Sequence, residues 1–69
     1  MIKILLGKVR YDKHITLRQL ERYTGLSRSY INDIENGLSK PTLEAMCSLA
    51  RALQVPVTDL FEDTNEIKA

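Results

Sequence analysis

The sequence predicts an all-α domain of five short helices, and three observations predict it. Apolar residues recur at helical three- and four-residue spacing along most of the chain. A Thr or Ser stands just before four of those stretches, at Thr16, Ser27, Thr42 and Thr58, where a helix start needs a side-chain acceptor. Residues that stop helices follow them, at Gly25, Gly37 and Pro56. No stretch reads as a strand.

The first helix is placed over about Lys3 to Lys13 by the spacing of Ile2, Leu5, Leu6 and Val9. His14 falls where the chain must turn. If that turn takes a positive φ, His tolerates it, though less well than Gly. The second helix has a clear start. Thr16 and Gln19 form a T-x-x-Q capping box, and Ile15 and Leu20 hold the hydrophobic-staple positions. It runs to Thr24 and stops at Gly25. The third helix begins almost at once, with Ser27 as its cap and Leu26 and Ile31 as a second staple; Asn36-Gly37 ends it. So short a link leaves no room for an antiparallel hairpin. The second and third helices must cross steeply, as a helix-turn-helix.

Ser39-Lys40-Pro41 is a loop. Thr42 caps a fourth helix whose apolar stripe reads Leu43, Met46, Cys47, Ala50 and Leu53. Pro56 prevents its continuation, and Thr58 starts a short fifth helix holding Leu60 and Phe61. The expected organisation is one domain over residues 1–62 with a polar, frayed tail at 63–69.

Composition narrows the function. A chain of 69 residues is one small domain, with modest stability unless it dimerises. One cysteine permits no internal disulfide, and a cytoplasmic location is expected. The apolar run in MIKILLGK is too short for a signal peptide, and no run approaches the roughly 18 apolar residues of a membrane span. Catalysis is not expected. The single histidine, His14, reads as a turn residue, and Cys47 reads as an inert core thiol. One Cys and one His make no conventional zinc site, so neither metal nor cofactor is expected. Gly25 and Gly37 are helix stops rather than a phosphate-cradling loop.

The net charge is only +1, but it is unevenly spread. Residues 1–40 carry eight Lys and Arg against four Asp and Glu, whereas residues 41–69 carry two against five. A basic half beside an acidic tail points to an oriented encounter with a polyanion. On a helical wheel, Tyr30, Ile31 and Ile34 of the third helix fall on one side. Arg28, Ser29, Asn32, Asp33 and Asn36 share the opposite arc. Short or planar polar groups of this kind suit base edges in the DNA major groove. The first backbone N–H groups of the second helix, around Thr16 and Leu17, can meet a phosphate. Asn36, Ser39 and Lys40 can reach another, and Ser27 and the Tyr30 hydroxyl complete the candidate phosphate contacts.

The segments LRQLERYTGLSRSYINDIENG and KPTLEAMCSLARALQVPVTDLF carry a family resemblance. From about Leu6 to Phe61 the chain resembles the lambda-repressor-like, Cro-type helix-turn-helix proteins, also called the Xre family. The resemblance implies a five-helix domain that binds operator DNA, usually as a homodimer on a palindromic site. It gives base reading to Arg28 and Ser29, then Asn32 and Asp33, and backbone contact to Asn36, Ser39 and Lys40. It also pairs Arg10 with Glu35 in an interhelical salt bridge. Two departures stand out. Leu17 replaces the family's frequent phosphate-binding Gln, leaving only a backbone N–H there. Glu21 replaces a usual Ala where the second and third helices approach. A buried, unpaired Glu is costly, so Glu21 is expected at the rim or beside a donor.

The expected function is therefore a small transcriptional regulator, with repression by covering a promoter as the simplest mechanism. Val55, Val57, Leu60 and Phe61 are the candidate dimer contact; the alternative, open above all for Leu60 and Phe61, is that they close the monomer core. A restriction–modification controller, or an antitoxin with a protein partner, has much the same domain. A protein-interaction module without DNA binding is the reading from another class. No ligand-sensing domain is visible, so no small-molecule ligand is expected.

Overall fold

The side chains of Leu6, Leu20, Ile31, Ile34, Leu49, Leu53 and Leu60 are wholly enclosed, and Met46 and Ala50 nearly so. Burying each large one contributes about 1.5–3 kcal/mol before the entropy of ordering the chain is set against it. These residues come from every helical element among the described residues. The computed structural model describes residues 1–64, in the order β1 (Ile2–Ile4), α1 (Leu6–Asp12), α2 (Leu17–Thr24), α3 (Arg28–Glu35), α4 (Leu43–Leu53), a 3-10 turn (Val57–Leu60) and β2 (Phe61–Asp63). α2 packs on both α3 and α4, α1 lies against α3, and the 3-10 turn closes the core against α4.

Four helix starts follow the sequence signals to different degrees. Thr16 accepts from the Gln19 N–H, and the Gln19 side chain accepts from the Thr16 N–H, completing the capping box. Ser27 accepts from the Tyr30 N–H and Thr42 from the Ala45 N–H. Thr58 caps nothing. It lies inside the 3-10 turn, whose preceding residue is Pro56, without a side-chain cap.

The all-α, five-helix expectation is corrected at both ends. Ile2–Ile4 is a strand, antiparallel to Phe61–Asp63, with Ile2 opposite Asp63, Lys3 opposite Glu62 and Ile4 opposite Phe61. The Leu5 N–H donates to the Leu60 carbonyl at 2.8 Å and the Thr64 N–H to the Met1 carbonyl at 2.8 Å. The spacing of Ile2 and Leu5 fits a helix, but Ile2 and Ile4 equally fit a two-residue period. A short apolar run does not decide between them. The partner strand decides it, because the Leu60 carbonyl is taken by Leu5 and Phe61 opens into extended backbone. The chain therefore leaves the helical region before a fifth α-helix can form. The boundary expected after residue 62 falls inside β2, and Asp63 is paired there; residues 65–69 of the expected tail lie outside the described residues.

α4 is also rotated relative to the expected stripe. Ala45, Met46, Leu49, Ala50 and Leu53 face the core, while Leu43 is 84% exposed and Cys47 is at the surface. Met46, Leu49, Ala50 and Leu53 keep the helical spacing, so the periodicity is sound. Its phase is set by the packing of α4 on α2 and the 3-10 turn. The core-thiol reading of Cys47 falls with it. α4 ends earlier than Pro56 requires, at Gln54, which sits in the left-handed region at φ 57.

α1 and α3 approach closely at Gly7. A Cβ built there would stand 3.5 Å from the Glu35 Cδ and Oε1, an ordinary contact distance. Helix propensity favours Ala over Gly by about 0.8–1.0 kcal/mol. Gly7→Ala is therefore expected to raise stability by about 0.5 kcal/mol in urea denaturation, the contact with Glu35 offsetting part of the gain. A net loss would show that the Glu35 carboxylate cannot yield.

Candidate nucleic-acid interface

The link between α2 and α3 is Gly25, Leu26 and Ser27. Gly25 takes φ 77, and its N–H donates to the Glu21 carbonyl at 2.9 Å, closing α2. Glycine suits this backbone because a Cβ penalises the left-handed region. The Thr24 hydroxyl donates to the Leu20 carbonyl at 2.6 Å and accepts from the Leu26 N–H at 3.1 Å. The turn is thus held from both sides, and the angle between the two helices with it.

With Ile31 and Ile34 enclosed and Tyr30 half-buried against the core, the outer face of α3 is set. Arg28, Ser29, Asn32 and Asn36 are exposed on it, and Asp33 is half-buried beside them. Asp33 has a local task. Its carbonyl accepts from the Leu38 N–H at 2.8 Å and the Ser39 N–H at 3.3 Å, which folds the loop after Gly37 back onto α3. Gly37 makes that reversal at φ 74. The Asn36 side-chain amide donates to the Asn32 carbonyl at 3.0 Å, so its donor is turned toward the helix. Ser39 is half-buried and Lys40 exposed.

At the start of α2 the Thr16 N–H and hydroxyl oxygen are both engaged by Gln19. The Leu17 side chain packs on the core. What the helix end offers a phosphate is therefore the backbone N–H groups of Leu17 and Arg18, which have no intrahelical acceptor in the first turn. An open groove brings this helix end together with Arg28. His14, Tyr11 and Arg18 line it alongside Thr16 and Leu17. His14 takes φ 58, so the turn it was placed in does need a positive φ. Arg18 and Tyr11 were not singled out from the sequence. Its place within the capping box, in the first turn of α2, is the signal that points to Arg18.

At the base of the groove, Arg10 joins α1 to α3 and to the loop before α2. Its Nε donates to the Glu35 Oε2 at 2.6 Å and its Nη2 to Oε1 at 3.1 Å, a bidentate pair. Its Nη1 donates to the Ile15 carbonyl at 3.0 Å. The hydrogen bond from Arg10 to Glu35 raises the guanidinium pKa above its ordinary value. Arg10 and Glu35 side chains are 20% and 10% exposed. Glu21 has also found a donor. Its Oε2 accepts from the Arg28 N–H at 3.1 Å, and its Oε1 lies 3.3 Å from the Arg28 Nε.

The residues expected at a dimer contact separate. Leu60 is fully buried in its own chain and leaves that list. Val55, Val57 and Phe61 are half-buried and also pack on the core, which shares them with any partner surface.

A family model described as Helix-turn-helix matches residues 6–60, the whole of the unit from α1 to the 3-10 turn. The chain belongs to the Xre-type helix-turn-helix family. Among its relatives is y4dJ, an uncharacterized HTH-type transcriptional regulator of Sinorhizobium fredii (strain NBRC 101917 / NGR234). It is 32% identical over 60 residues, which cover 87% of this chain and 78% of y4dJ. Rv0474, an uncharacterized HTH-type transcriptional regulator of Mycobacterium tuberculosis (strain ATCC 25618 / H37Rv), is 35% identical over 52 residues. They cover 75% of this chain but 37% of Rv0474. The HTH-type transcriptional regulator DdrOP3 of Deinococcus deserti (strain DSM 17065 / CIP 109153 / LMG 22923 / VCD115) is 32% identical over 57 residues, 83% of this chain and 44% of DdrOP3. The chain thus spans less than half the length of two of these three relatives. No helix among the described residues is long and apolar enough to cross a membrane.

Proposed function

We propose that this helix-turn-helix protein is a sequence-specific regulator of transcription that binds double-stranded DNA, a repressor acting as a homodimer on a palindromic operator. The observation that carries the proposal is the outer face of α3. Arg28, Ser29 and Asn32 are exposed there, while the opposite side is locked by Ile31 and Ile34. Arg28 lines the same groove as the start of α2, which supports a base reader and a phosphate anchor on one side of the molecule. The names of the relatives support the regulatory role.

In this reading Arg28, Ser29 and Asn32 enter the major groove, with Asp33 beside them. Arg28 would hydrogen-bond guanine O6 and N7, and Asn32 and Ser29 the neighbouring base edges. The Leu17 and Arg18 amides, Arg18 itself, and Ser39 and Lys40 beyond α3 would hold the phosphates on either side. One such face spans too few base pairs for an operator. Two copies, meeting through the surface around Val55, Val57 and Phe61, would set their reading helices about one DNA turn apart.

Selection of duplexes from a random pool tests this directly. The bound sequences are expected to contain two inverted half-sites with centres about 10 base pairs apart. Affinity for mixed duplex DNA should fall with rising salt, at a logarithmic slope of about −0.9 per phosphate contact. Recovery of no common sequence, with binding that ignores salt, would reject the DNA reading.

A further inference from the structure

Arg28 stands at the first position of α3, where its long side chain could adopt many rotamers. The fold restricts it. Glu21 lies on the last turn of α2, across the tight link. One carboxylate oxygen accepts from the Arg28 backbone N–H at 3.1 Å, and the other lies 3.3 Å from Nε of the same residue. The carboxylate therefore meets Arg28 at two points, by a hydrogen bond to the main chain and an ion pair with the side chain. Its charge is also favourable beside the N–H groups that begin α3.

The point of attachment matters. Nε lies on the inner edge of the guanidinium, and reading a guanine takes two parallel donors from the outer fork. Nε is the guanidinium nitrogen that the ion pair brings to 3.3 Å from the carboxylate, and the Arg28 side chain is 53% exposed. A pair through both Nη atoms would have consumed the reading fork. An ion pair closest at Nε does not tie up the fork with a hydrogen bond, and it favours one placement of the stem before DNA arrives. Ordering a flexible side chain in advance reduces the cost of using it in a complex.

We propose that Glu21 is a positioning residue for base recognition. Its carboxylate clamps Arg28 by the backbone N–H and Nε, so that the two terminal amino groups are presented to a guanine. This rests on the proposed DNA reading of Arg28. Glu21 also places a negative charge near the DNA backbone, so its removal strengthens binding to every sequence alike. Total affinity is therefore a poor readout, and the ratio of affinities for two duplexes is a good one.

The test uses the whole protein and the duplex recovered by selection, compared with the same duplex carrying each base-pair substitution in turn. Glu21→Ala is expected to reduce discrimination by about tenfold at the base pair that Arg28→Ala affects, and to leave other positions unchanged. Glu21→Gln, whose amide oxygen still accepts, is expected to recover part of that loss. Adding Glu21→Ala to Arg28→Ala is expected to change discrimination no further, because the clamp then has nothing to hold. If Arg28→Ala abolishes the guanine preference while Glu21→Ala keeps it in full, the positioning role is overturned and the base-reading role stands. If Glu21→Ala weakens discrimination equally at every position, Glu21 supports the helix pair as a whole and the proposal is again overturned. If Arg28→Ala itself changes no preference, both assignments fail together.

Discussion

Replacing Arg10 with alanine is expected to destabilise the protein by about 3–5 kcal/mol, a large share of its total stability. The Glu35 carboxylate is only 10% exposed, and both its oxygens are bonded to Arg10. Without that partner a charge remains inside the protein with little water to replace it, which is what makes breaking such a pair costly. The Ile15 carbonyl loses a donor in the same substitution. A chain of 69 residues has a total stability of roughly 3–10 kcal/mol at the usual value per residue. Glu35→Ala is expected to cost less. The Arg10 side chain is 20% exposed, so its charge can reach solvent while it keeps its bond to Ile15. Urea denaturation followed by circular dichroism measures all of these. A double variant, Arg10→Met with Glu35→Leu, should regain most of the loss, because no charge is then stranded. Single substitutions that cost under about 1 kcal/mol would mean that the pair behaves as an exposed one.

The bridge shows which parts of this fold could be read in the sequence. Helix starts were legible where the signal is local. Thr16 and Gln19 satisfy each other three residues apart, and no distant contact competes with them. The turn at Gly25 and the outward arc of α3 follow from the same kind of information. Elements decided by distant partners were not legible. Ile2–Ile4 has no local reason to prefer a strand; the backbone of Phe61–Asp63 supplies it. The periodicity of α4 was visible but its rotation was not. Leu43 and Cys47 flank the true stripe, and only packing against α2 and the 3-10 turn chooses between the two phases. Leu60 took the core-closing alternative for a related reason. An apolar residue near a chain end can cover the core or a partner, and the 3-10 turn directs it inward. At the candidate site the face was readable and its support was not. Glu21 precedes Arg28 by seven residues across a turn, too far for helical spacing to pair them.

Arg28→Ala is the substitution expected to alter function most while sparing the fold. The side chain is 53% exposed, so its truncation opens no buried cavity. A bidentate contact to guanine discriminates against other bases by about 1–3 kcal/mol. Removing it should flatten preference at one base pair of each half-site and leave the rest of the recognised sequence intact. Lys40 supplies the contrast. It is exposed on the loop beyond α3, where a positive charge can reach a phosphate but has no base edge to read. Lys40→Ala should therefore weaken binding on all duplexes alike and reduce the salt slope by about 0.9. Competition binding across a set of single base-pair substitutions separates the two behaviours. A uniform loss with Arg28→Ala would place its guanidinium on the backbone, and an unaltered selected sequence would remove α3's first residue from base reading. The distinction is physical. A phosphate presents the same charge at every position, so only a contact that varies with the base can change which sequence is chosen.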